Sequence, residues 1–184
     1  MRISIEERFT EVYRSHRAAV ERYVMRRAHA DVTADIVAEV FLTAWRKADA
    51  MPANDALPWL YGVARRVLAN HRRAQQRRAD LTDLLAAQPQ GVTVNGTEGV
   101  IAREDLARAM GELSESDQEI LKLVLWEDLT PAVAAVVLGS SNVATRVRFH
   151  RARQRLRRRL EPAYDNAATK RMRPKGQEVT HVQP

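Results

Sequence analysis

Thr130-Pro-Ala-Val-Ala-Ala-Val-Val-Leu-Gly-Ser-Ser-Asn-Val-Ala-Thr-Arg-Val-Arg-Phe-His-Arg-Ala-Arg-Gln-Arg-Leu-Arg-Arg-Arg159 is the stretch on which the reading of the fold turns. Thr130 and Pro131 have the form of an N-cap followed by proline at the first helical position, where the missing N–H would have no intrahelical partner anyway. The apolar run after them stops at Leu138-Gly139, and glycine readily takes the left-handed conformation just past a helix end. Ser140-Ser141 then offers caps for a new helix that passes Val143, Val147 and Phe149 into a block of arginines. A short helix, a glycine turn and a long basic helix make a helix-turn-helix. In that motif the second helix lies in the major groove, its first residues reach base edges and later cations neutralise phosphates. Asn142, Thr145 and Arg146 are the expected base-facing residues, and Arg148, Arg151 and Arg153 the expected phosphate contacts. Ser141 and Phe149 complete the expected duplex-contacting set. Arginine in place of lysine suits this task, because its planar fork binds phosphate and guanine bidentately.

Upstream of this motif, Ser114-Glu-Ser-Asp-Gln-Glu119 contains two overlapping capping boxes ahead of Ile120, Leu121, Val124 and Leu125. A helical unit therefore begins near Ile101. Between Thr82 and Val100 apolar periodicity fades into Gln88, Pro89, Gln90, Gly91, Asn95, Gly96 and Gly99, the composition of a flexible linker. From Ile5 to about Arg78 the apolar spacing is helical again and never alternates long enough to argue for a strand. One helix carries Phe9, Val12, Tyr13, Val20, Tyr23 and Val24, with a polar break near His29 to Thr33. In Asp35 to Lys47 the residues Ile36, Val37, Val40, Phe41, Ala44 and Trp45 form one stripe. Pro52, Asn54, Asp55 and Pro58 then favour a turn-rich connection. A third helix, expected from Trp59 to about Arg78, starts aromatic and becomes basic. Its Trp59 and Tyr61, with Arg65, Arg66 and Arg73, have the composition of a surface that stacks on unpaired bases and holds their backbone; helix-start aromatics also serve as core packing.

The expected fold is all-α: two small helical domains at residues 1–80 and 101–161, joined by a linker at 81–100 and followed by a disordered tail at 162–184. The bulk properties agree with that division. The chain has 184 residues, 45% of them hydrophobic, and a formal net charge of +7. The positive charge sits in two blocks, one from Arg65 to Arg78 and one from Arg146 to Arg159, which points to two contact sites on an extended polyanion. The absence of cysteine removes thiol chemistry, disulfides and zinc ribbons, and fits a reducing cytoplasm. The start, MRISIEERF, has no apolar signal segment, and no run is long enough to span a membrane. His16, His29, His71, His150 and His181 are scattered, and HExxH, P-loop and GxSxG motifs are missing. No catalysis, cofactor or metal is expected.

Asp35-Ile-Val-Ala-Glu-Val-Phe-Leu-Thr-Ala-Trp-Arg46, followed by Pro58-Trp-Leu-Tyr-Gly-Val-Ala-Arg-Arg-Val-Leu-Ala-Asn-His-Arg72, resembles the second region of extracytoplasmic function (ECF) sigma factors. The helix-turn-helix, with Leu113-Ser and Asp117-Gln-Glu before it, resembles their fourth region. The resemblance covers about residues 5–78 and 101–160. It implies that the Asp35 to Lys47 helix docks on the β′ clamp helices of core RNA polymerase through Asp35, Glu39, Leu42, Thr43 and Arg46, with Phe41 and Trp45 turned inside. It implies that Lys47, Trp59, Tyr61, Arg65, Arg66, Asn70 and Arg73 serve the opened downstream (−10) promoter element. The Val143 to Arg159 helix would read the upstream (−35) element as duplex. The β flap of the polymerase is a further implied partner, and family members are often held by an anti-sigma factor. Two positions depart from the family pattern, Val133 where glutamate is usual and Thr145 where an aliphatic residue is usual, so Thr145 either packs through its methyl or reads a base. A competing reading is a stand-alone helix-turn-helix repressor or activator, which would bind DNA by itself, commonly as a dimer. The Asp35 to Arg73 match is a feature such a protein does not need.

Overall fold

The structure, a computed structural model, describes residues 4–52, 54–82 and 100–171, with side chains described for residues 4–52, 54–78 and 104–160. It contains seven α-helices among these residues and no strand: α1 Ile5–Met25, α2 Ala30–Arg46, α3 Ala56–Thr82, α4 Val100–Gly111, α5 Glu115–Leu125, α6 Pro131–Leu138 and α7 Asn142–Arg171. No helix among them is long and apolar enough to cross a membrane.

Local chemistry sets most of the boundaries. Ser4 and Glu7 close a reciprocal capping box at the start of α1. Ser114 accepts from the Asp117 N–H, so the first of the two overlapping boxes supplies the cap of α5. Thr130 caps α6 with Pro131 in its first turn, and Gly139 ends it at φ 63°, in the left-handed region. Ser141 accepts from the Ala144 N–H as α7 begins. The polar break after α1 is shorter than the sequence suggests, and Thr33 already lies within α2, its hydroxyl donating to the His29 carbonyl. The turn-rich stretch holds a 3-10 turn at Ala48–Ala50, and α3 starts at Ala56, so Pro58 falls in its first turn, where proline is tolerated.

Two further expectations change. The linker reading falls mostly on residues 83–99, which lie outside the described residues. The tail was expected to be disordered from residue 162, yet α7 runs on to Arg171. Pro162 removes a backbone donor and crowds the carbonyl one turn before it, but Ala163, Ala167 and Ala168 beyond it are strong helix formers. Residues 172–184 lie outside the described residues.

Each half contributes its own apolar stripe to one continuous core. In the first, Val20, Tyr23 and Val24 of α1 meet Ile36, Val40 and Phe41 of α2 and Leu60, Ala64 and Val67 of α3. In the second, α7 presents Thr145, Phe149, Ala152 and Leu156 to α5 and α6, a 4-3-4 spacing that makes one helical face. Asp117 receives an ion pair from Arg155, and Glu112 one from Arg159 at 2.8 Å, so the middle of α7 is tied to the α4–α5 corner. The halves also pack on each other. α3 crosses α6 at Gly62, where a Cβ would stand 3.6 Å from the Val137 carbonyl oxygen, and α1 meets α5 through charged groups.

The core assignment predicts that Leu123→Ala, at a fully buried position, lowers unfolding free energy by about 2–5 kcal/mol. Val147→Ala, at a residue 43% exposed, should stay within about 0.5 kcal/mol. Gly139→Ala should cost about 1–2 kcal/mol through its backbone conformation, with no clash to blame. Urea unfolding followed by circular dichroism measures all three.

Candidate nucleic-acid interface

The recognition surface of the second half follows from how α7 is seated. With its 145–149–152–156 face turned inward, Ser141, Asn142, Arg146, Arg148, Arg151 and Arg153 are all exposed. Thr145 is not. It is 2% exposed, and its hydroxyl pairs with Ser140 Oγ at 2.6 Å, so it packs against α6 and cannot read a base as expected. Phe149 is half-buried against the core, leaving part of its ring open. Val133, the other departure from the family pattern, is half-buried and gives its N–H to the Thr130 cap.

In the first half, α3 exposes Arg65, Arg66, Asn70 and Arg73 along one side. Arg73 donates to Asn70 Oδ1 at 2.6 Å, so these two side chains are oriented together. The aromatic residues behave differently from the expectation of a stacking platform. Tyr61 is 4% exposed and stacks on Tyr23 of α1, ring centroids 4.7 Å apart. Trp59 is half-buried against the core, and Lys47 is exposed. The base-stacking role assigned to Tyr61 therefore has no open ring face in this arrangement.

The outer face of α2 carries Asp35, Glu39, Leu42 and Arg46, all exposed, with Thr43 half-buried beside them. Leu42 is 48% exposed, a large apolar side chain among charges. Phe41 is buried as expected, but Trp45 is 41% exposed although its ring meets Phe9 edge-on at 5.0 Å. Leu42 and Trp45 give the acidic helix an apolar centre, the composition of a protein-docking face with a charged rim.

A cleft of about 790 Å3 lies between the two halves. Arg65, Arg66, Asn70 and Arg73 of α3 line one side, and Arg148 of α7 and the start of α5 at Ser114 line the other. At its floor is a charged group that sequence reasoning missed. The Arg27 side chain, 1% exposed, donates from Nε to Glu119 Oε2 at 3.1 Å and from Nη1 to Glu127 Oε1 at 2.8 Å. Tyr23 donates its hydroxyl to Glu119 at 2.8 Å and lies under the guanidinium, 3.6 Å from its ring centroid. Arg26 reaches Glu127 at 3.3 Å. Burial alone would raise the Glu119 carboxyl, but the Arg27 charge and the hydrogen bonds from Arg27 and Tyr23 outweigh it and hold that carboxyl below its usual range. Burial, helped by the Arg27 charge, pushes the neighbouring Lys122 ammonium down. These partners are more than 90 residues apart in the chain, so no local pattern announces them.

Comparison with known proteins agrees with this layout. Residues 12–78 match the family model "Sigma-70 region 2", and residues 103–156 match "Sigma-70, region 4". The chain is 27% identical over 155 residues to the ECF RNA polymerase sigma factor SigL of Mycobacterium tuberculosis, covering 82% of this chain and 87% of SigL. It is 32% identical over 129 residues to the RNA polymerase sigma factor NccH of Alcaligenes xylosoxydans, covering 66% of this chain and 69% of NccH. It is also 32% identical over 142 residues to the probable sigma factor RfaY of Xanthomonas campestris, where the match covers 73% of this chain and spans only 35% of RfaY. The fold is similar to that of the sigma factor RpoE from Bartonella quintana, solved with its anti-sigma factor NepR, at a TM-score of 0.67 over 83% of this chain and 96% of that one, with 21% identity. With both regions present in order and relatives matched across them, the chain belongs to the sigma-70 family of RNA polymerase sigma factors, in its ECF group.

Proposed function

We propose that this sigma factor binds core RNA polymerase through the α2 face and delivers it to promoters by dividing DNA recognition between α3 and α7. The carrying observation is that three exposed surfaces of different chemistry stand on one small chain: an acidic face with an apolar centre at Leu42 and Trp45, and two arginine-rich faces. A stand-alone repressor has a use for only one of them. In this reading Asp35, Glu39, Leu42 and Arg46 meet the β′ clamp helices, with Thr43 at the edge, and the second unit also meets the β flap. Lys47, Arg65, Arg66, Asn70 and Arg73 hold the opened downstream element. The Asn70–Arg73 pair offers hydrogen bonds to an extruded base, which has to offset a few kcal/mol of lost stacking and pairing. Trp59 can contribute only its exposed edge. On α7, Asn142 and Arg146 read base edges of the upstream duplex, while Ser141, Arg148, Arg151 and Arg153 hold its backbone. The protein acts by binding, without catalytic chemistry of its own, in the cytoplasm. An anti-sigma factor is a fitting regulator, as RpoE of similar fold is bound by one.

In transcription by core polymerase from a promoter library randomised in the upstream element, Arg146→Ala should relax selection at one position, with about 1–3 kcal/mol of discrimination lost there. Arg153→Ala should weaken all sequences alike and reduce the salt dependence by about one phosphate contact. Thr145→Val should leave the selected sequence unchanged, since Thr145 packs inside; a changed preference would restore it to the reading set. Failure of any library member to support initiation, together with tight binding of the isolated chain to an operator, would instead identify a repressor.

A further inference from the structure

One line along α7 is chemically unlike the rest of its surface. From Ser141 to Arg159 the exposed positions carry serine, asparagine, arginine, histidine and glutamine, with three apolar exceptions, Val143, Ala144 and Val147, all in the first two turns. Val143 is 74% exposed and Val147 43%. At about 3.6 residues per turn both stand about half a turn from the inward face at 145, 149, 152 and 156, so they form the outermost crest of the helix. Asn142 and Arg146 lie on one flank of that crest, and Arg148 and Arg151 on the other. Beyond the second turn the crest turns polar, since Gln154 stands on it and pairs with His150 at 3.0 Å. Valine gains nothing for the helix at such a place. Its β-branched side chain forms helix less readily than alanine, and in the open it has no packing to offset that. Single apolar residues scattered on a surface are ordinary, but two at i and i+4 on one crest, with cations on both flanks, make a strip. Its complement is a surface with an apolar group at its centre and anions along its edges.

Resting on the proposed reading of the upstream duplex by α7, we infer that Val143 and Val147 select thymine in that element by packing against its C5-methyl group. That methyl is the one apolar handle on a base edge in the major groove, and phosphates line the groove on both sides. A helix seated with its 145, 149, 152 and 156 face toward the protein puts its crest deepest in the groove. The valines then discriminate in two ways. They gain by covering the methyl, and they leave the exocyclic amine of a cytosine or adenine buried without an acceptor. The two side chains are four residues apart, about 6 Å along the helix, against about 3.4 Å per base-pair step. Two thymines, on either strand, are therefore expected about two steps apart, next to the position that Arg146 reads. A protein partner is the competing occupant of the strip; the arginines on both flanks favour the polyanion.

The test uses the full chain with core polymerase on promoters selected from the library randomised in the upstream element. Each selected thymine is replaced in turn by deoxyuridine, which removes the methyl and changes nothing else on the base edge. At the two positions facing the valines this should lower promoter occupancy about fourfold, the worth of burying one methyl-sized group. Val143→Ala should bring the thymine-to-uracil ratio at one position to about one and leave the other unchanged, and Val147→Ala should do the converse. Val143→Ile, which keeps a branched apolar side chain, should preserve the ratio. Because the readout is a ratio within each variant, a general loss of binding or folding does not imitate it. Selected elements without thymine, thymines that all tolerate uracil, or ratios that neither alanine variant changes overturn the valine assignment while the reading of the duplex by α7 stands. Initiation indifferent to the upstream sequence defeats that reading itself, and the valine assignment with it.

Discussion

A guanidinium held out of water between two carboxylates from the other half of the chain governs how the rest of this molecule is arranged. Arg27 cannot stay buried unless Glu119 and Glu127 accept from it, and those carboxylates reach it only if α5 and the turn after it lie against α1. That placement brings α6 across α3 at Gly62 and turns two basic surfaces toward one cleft.

Apolar packing joins the halves as well, in one continuous core. α1, α2 and α3 close around Val20, Val40 and Leu60, and α7 lays the Thr145, Phe149, Ala152 and Leu156 face onto α5 and α6. What each half leaves outside is its function: the α2 face with Leu42 and Trp45, the arginines of α3, and Asn142 and Arg146 at the start of α7. The ion pairs from Arg155 to Asp117 and from Arg159 to Glu112 show that the arginine block of α7 is itself divided, its later members tying the helix down and its earlier ones left free to face a duplex.

The helices, their caps and the helix-turn-helix were legible in the sequence because each is encoded within a few residues: Thr130 with Pro131, Gly139, Ser114 with Asp117. Thr145 carried two readings, and the spacing of residues 145, 149, 152 and 156 as one buried face favours the packed one, which a threonine fills by its methyl and a local hydroxyl pair. Tyr61 carried two readings, a stacking surface and core packing, and its burial against Tyr23 of α1 favours the second. Trp45 erred in the opposite direction, as apolar periodicity assigns a ring to the core without saying how much of it the core can hold. The extension of α7 past Pro162 was hidden by a residue that usually ends helices.

The central claim is that this chain is a polymerase subunit that docks through α2, and binding to core enzyme tests it most directly. Purified core RNA polymerase titrated against the labelled full chain should yield a stoichiometric complex, and Leu42→Asp, at an exposed position outside the core, should abolish it without loss of helical content. A chain that folds but forms no complex with core polymerase, or a complex indifferent to Leu42→Asp, would contradict the account.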